Sequence, residues 1–123
     1  MFIMVKKAVV EIILEGKTGV ATFKEASITD IGQIAEIFGV MKEFIEENQP
    51  EAIIFDFDSV GFFSSRVLGM LLEVRAEMES REGKVMICGI NPQLYRVFRI
   101  TNLDKIFSFY ADRASAVKTA NKN

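Results

Sequence analysis

Two adjacent hydroxyls, Ser64 and Ser65, stand in the stretch Ser59-Val60-Gly61-Phe62-Phe63-Ser64-Ser65-Arg66-Val67-Leu68-Gly69, between a short apolar run and a helical pattern. A hydroxyl at a helix start meets unpaired backbone amides and the positive end of the helix dipole, so a phosphate placed there is stabilised locally. The same place suits a serine that only caps the helix, since Ser is among the preferred N-cap residues. Arg66 offers a guanidinium able to pair with such a phosphate or with a partner's carboxylate; equally, it suits a solvated first turn. Of Phe62 and Phe63, at least one is expected to pack beneath the helix, while an exposed one would anchor a partner.

Other chemistry is poorly served. The chain has no histidine, which removes Ser-His and Cys-His nucleophile activation, HExxH zinc sites and most imidazole acid-base work. Asp56 and Asp58 alternate along a strand end, but nothing suggests a cleft with opposed carboxyls, and Asp56 reads as a hydrogen-bonded strand-end residue. Cys88, the only cysteine, sits in the apolar run Val85-Met86-Ile87-Cys88 and reads as a small buried hydrophobe; no disulfide framework exists, which fits a reducing compartment. Gly61 stands alone before its helix, without a phosphate-cradling glycine motif. The residues therefore propose no catalytic group, no metal and no cofactor.

Composition bounds the rest. At 123 residues, half of them hydrophobic and 26% charged, the chain suits one compact core and is read as a single domain over 1–123. A net charge of −2, with Lys and Arg scattered among Asp and Glu, gives no footprint for nucleic acid. The apolar start Met1-Phe2-Ile3-Met4-Val5 is cut short by Lys6 and Lys7, so neither a signal peptide nor a membrane span is expected, and the location is read as cytoplasmic.

The elements that must position the serines follow from periodicity. Val9 to Leu14 and Val20 to Phe23, around Gly16-Lys17-Thr18-Gly19, predict an opening antiparallel hairpin. Ile31, Ile34, Ala35, Phe38, Met41, Phe44 and Ile45 recur at helical steps; Asp30 caps this helix, Gln33 is able to reach back, and Asn48-Gln49-Pro50 ends it. Ile53-Ile54-Phe55 and Phe57 predict a central strand covered on both faces. Val67, Leu68, Leu71, Leu72, Val74 and Met78 predict a second helix, ending near Gly83 as a left-handed cap. Lys84 to Gly89 predicts another buried strand, Asn91-Pro92 the start of a helix through Phe98, Ile106 to Tyr110 a last strand, and Asp112 the cap of a last helix before a frayed tail, Asn121-Lys122-Asn123. The fold class is α/β: a mixed, mainly parallel sheet opened by a hairpin, joined by right-handed crossovers and flanked by about four helices.

The serine stretch resembles the switch motif of the STAS domain, the family of anti-sigma-factor antagonists: a hydrophobic strand, then Phe-Ile-Asp-Ser-Ser-Gly-Leu-Gly and a helix. Phe63 stands for the Ile, and Leu68-Gly69 closes the match. Asp30 falls where the family has an acidic residue before its first helix, and Asp56 on the central strand's recurrent polar position. Gly83-Lys84-Val85-Met86-Ile87-Cys88-Gly89-Ile90-Asn91-Pro92 and Val97 to Phe107 resemble its later segments, so the likeness covers nearly the whole chain.

The resemblance implies a non-enzymatic regulator that docks on a kinase-type anti-sigma factor or related signalling protein, with Ser65 as phosphoacceptor and Ser64 as the alternative. Its partner-binding residues would be Asp30, Phe63, Ser64, Ser65, Arg66 and Val67. A homodimer is left open. Three positions depart from the motif: Ser64 replaces the Asp, Arg66 the second Ser and Val67 the Gly. These losses favour the alternative of a phosphorylation-independent scaffold in a signalling or transport assembly. A small-ligand domain ranks below both, because so short a chain leaves little room for a large pocket.

Overall fold

The structure, a computed structural model, describes residues 4–122. Strands β1 (Met4–Lys6), β2 (Val10–Glu15) and β3 (Thr18–Phe23) form an antiparallel meander. The turn between β2 and β3 is only Gly16-Lys17, with Glu15 opposite Thr18 and Gly16 at φ 63°, a conformation open to glycine at little cost. After β4 (Ser27–Ile28) comes helix α1 (Ile31–Asn48), then β5 (Ala52–Asp56), β6 (Phe62–Phe63), α2 (Ser65–Glu79) and β7 (Lys84–Cys88). The chain closes with α3 (Pro92–Ile100), a single 3-10 turn (Leu103–Lys105), β8 (Ser108–Tyr110) and α4 (Arg113–Asn121).

The main sheet runs β1-β2-β3-β5-β7-β8, with β3, β5, β7 and β8 mutually parallel. Strand alternation divides the burial of β5: Ile53 and Phe55 face a core with α1, α2 and α3, while Ala52 and Ile54 face α4 with Val20, Met86, Cys88 and Ala116. This is why β5 reads as an unbroken apolar run. Helix α4 is latched to the hairpin: the Thr18 hydroxyl donates to Asn121 Oδ1 at 2.9 Å, and Arg113 pairs with Glu15 at 2.8 Å.

Several expectations are corrected. Helix α2 turns its carboxyl end through Glu82, at φ 60°, and not through Gly83. Gly83 instead sits in tight space: an added Cβ would lie 3.1 Å from the Glu51 carbonyl and 2.6 Å from the movable end of Met78, at Cε. Leu72 and Ile31, placed on core stripes by periodicity, are 37% and 59% exposed, because each lies at the rim of its helix's apolar face. The last strand starts at Ser108, since Leu103–Lys105 forms a 3-10 turn whose cap donates from Ile106 N–H to the Leu103 carbonyl. Asn121 is not frayed but tied to Thr18; Asn123 lies outside the described residues.

Candidate functional site

The site is built where two helices start. β4 and β6 pair in parallel, Ser27 beside Phe62 and Ile28 beside Phe63, forming a second, two-stranded sheet. Gly61 N–H and Phe62 N–H both donate to the Ala26 carbonyl at 2.7 and 3.1 Å, and Ser64 N–H donates to the Ile28 carbonyl at 3.1 Å. These bonds stitch the segment entering α1 to the segment entering α2, so Asp30 and Ser65 rise from one edge of the molecule. A two-residue strand carries too little periodicity for pattern reading, so neither strand is among those expected from periodicity.

Asp30 caps α1, its Oδ2 accepting from Gln33 N–H at 2.8 Å, and is exposed. Ser65 is the first residue of α2 and is exposed, as is Arg66. Ser64 occupies the N-cap position in extended conformation, φ −84° and ψ 163°, yet its side chain makes no capping bond and its Oγ is buried without a hydrogen-bond partner among the described residues. The opening amides of α2 are thus left without a side-chain acceptor, in contrast to α1, α3 and α4, each capped by Asp30, Asn91 or Asp112.

Phe63 and Val67 do not present their side chains to a partner. Phe63 is 5% exposed, in edge-to-face contact with Phe57 and Phe98, and Val67 is fully buried. The side chains of both are structural. Phe62 takes the exposed place, at 58%, so of the two rings it is the one able to meet another protein. Alternation along β6 separates them, a period the sequence could reveal only once this pair is known to be a strand.

The other strand-end residues gather behind the site. Asp56, 8% exposed, accepts from Asp58 N–H at 3.0 Å and closes the chain on itself after β5. Gly89, at φ 67°, approaches so closely that a Cβ would lie 3.0 Å from Asp56 Oδ1. Asn91 ties the loop to α3, accepting from Leu94 N–H at 2.9 Å while its Nδ2 donates to the Val60 carbonyl at 3.2 Å. Asp112 is held below the usual carboxylate range by the Ser115 N–H and hydroxyl. Among the described residues, no cluster of His, Cys, Asp or Glu is arranged to hold a metal ion.

Cys88 is fully buried, and its thiol is pushed up to about 12, first by burial and then by the negative charge of Asp56. The unfolded thiol, at its ordinary 9.0, ionises first, so stability falls as pH rises through that value toward 12. Urea midpoints measured at neutral pH and at about pH 11 are expected to fall further for the native chain than for Cys88→Ala. A matched fall in both proteins would show that the thiol is not the source.

A mixed sheet with its helix layers, and an exposed serine opening the helix that follows β6, define an α/β domain of recognisable type. A model of the STAS domain matches residues 11–116, and the chain belongs to that family. An anti-sigma F factor antagonist of Paenibacillus polymyxa is 27% identical over 77 residues, 63% of this chain and 66% of that protein, just under two thirds of its length. Among solved structures, an anti-sigma-factor antagonist (STAS) domain protein from Planctomyces limnophilus superposes with TM-score 0.82 at 18% identity, over 94% of this chain and 99% of the other. An anti-sigma factor antagonist from Mycobacterium paratuberculosis gives 0.78 at 17% identity, over 99% and 96%. At these identities the structural likenesses speak for the fold. No helix among the described residues is long and apolar enough to cross a membrane.

Proposed function

We propose that this chain is a non-enzymatic, cytoplasmic partner-switching regulator that docks on a kinase-type anti-sigma factor through the edge carrying Asp30, Phe62, Ser65 and Arg66. Phosphorylation of Ser65 releases it. The observation that carries the reading is the exposed Ser65 hydroxyl on the first residue of a helix whose starting amides have no side-chain acceptor. A phosphate there gains from those amides and from the helix dipole, while its charge and bulk oppose docking.

One feature supports a second reading, a phosphorylation-independent STAS scaffold. Ser64, standing where the resembled motif has Asp, supplies no carboxylate beside Ser65. Intact mass after incubation with ATP and the cognate kinase-type partner separates the two. A single phosphate is expected on the native chain and on Ser64→Ala but not on Ser65→Ala. Retained binding with no mass gain would leave the scaffold reading in place.

A further inference from the structure

The outward side of α2 carries charges that the chain does not satisfy. Arg75 pairs with Glu79 at 3.0 Å and Glu77 with Arg81 at 3.2 Å, each across one helical turn. Arg66 and Glu73, by contrast, form no ion pair among the described residues. They stand seven residues apart, on the same side of the helix but about 10.5 Å along it, too far to meet each other. Lys42, across the groove from Glu73, lies over the Phe38 ring, 5.7 Å from its centroid. Beside these charges the surface is apolar. Gly69 is exposed with open space where a Cβ would stand. A groove of about 380 Å³ between α1 and α2 is lined by Ile31, Ala35, Phe38 and Met70 together with Arg66 and Glu73.

We infer that a second copy of this chain covers this face, α2 packing antiparallel on α2 about a two-fold axis passing between Gly69 and Met70. Arg66 and Glu73 lie equally far from that point in opposite directions. A two-fold axis there sets Arg66 against the second copy's Glu73 and Glu73 against its Arg66, as a self-complementary interface requires. Gly69 lets the helices approach. The interface stands independently of any phosphate. If the proposed docking edge is also correct, the dimer hides Ser65, and dimerisation and docking compete.

Sedimentation equilibrium of the full chain over a range of concentrations tests this. The native chain is expected to dimerise, and Arg66→Glu and Glu73→Arg, each placing like charges together, to weaken the dimer at least about tenfold. The double variant Arg66→Glu/Glu73→Arg restores it. Under mild oxidation Gly69→Cys is expected to give a covalent dimer, since the buried Cys88 does not compete. A native chain that stays monomeric throughout, a dimer indifferent to both single variants, or a double variant without recovery overturns the proposal. The mass assay for Ser65 is unaffected by any of these results, so the two proposals fail separately.

Discussion

Phe98→Ala is expected to lower the unfolding free energy by about 3–5 kcal/mol, a large part of the roughly 5–15 kcal/mol of a typical domain. Phe98 is fully buried, and its ring meets Phe63 at 6.1 Å, Phe107 at 6.1 Å and Phe109 at 5.1 Å, all edge to face. Phe63 continues the contacts to Phe57 at 5.7 Å, and Phe57 to Phe23 at 4.9 Å. Truncation therefore opens a cavity beneath α3, and neighbours held by β6, by β8 and by the turn before β8 relax little into it. Urea unfolding followed by circular dichroism measures the loss. The control is Ile100→Ala on the same helix, 73% exposed, expected to change stability by less than about 0.5 kcal/mol. Similar losses from both variants would show that the aromatic cluster does not hold α3 in place.

Ser65→Glu is expected to separate stability from binding. The first turn of α2 contains no acidic residue, so a carboxylate there meets the positive end of the dipole and raises stability by about 0.3–1 kcal/mol. The same charge, set where an anti-sigma factor would close on the helix start, is expected to weaken docking by about ten- to a thousandfold, at 1.4 kcal/mol per decade. Titration calorimetry with the partner, beside thermal unfolding of the free chain, reads both effects. Undiminished affinity would remove Ser65 from the docking surface. A matched loss of stability would mean that the substitution acts through the fold.

The sequence carried most of the architecture because most elements announce themselves by period or cap. Asp30, Asn91 and Asp112 each cap the helix predicted for them. The β5 run is apolar on both faces because helices cover both. What escaped was decided by neighbours distant in sequence. β4 and β6 are two residues each and exist only by pairing, so neither carries a pattern of its own. Strand β1 adds to the edge of the hairpin from an apolar start weighed only as a leader. At the site, the serine pair was visible, but which of Phe62 and Phe63 faces outward was not. Val67 stands at a motif position that implies partner contact, but its place on the inward stripe of α2 puts it in the core.

The pairing of β4 with β6 makes the entrances to α1 and α2 a single mechanical unit. Any event that lifts Ser64 from the Ile28 carbonyl pulls on the strand that delivers Asp30. A visitor gripping one helix tip therefore senses the other without touching it. Amide exchange at Gly61, Phe62 and Ser64 should rise or fall in concert, slowing together when that edge is occupied.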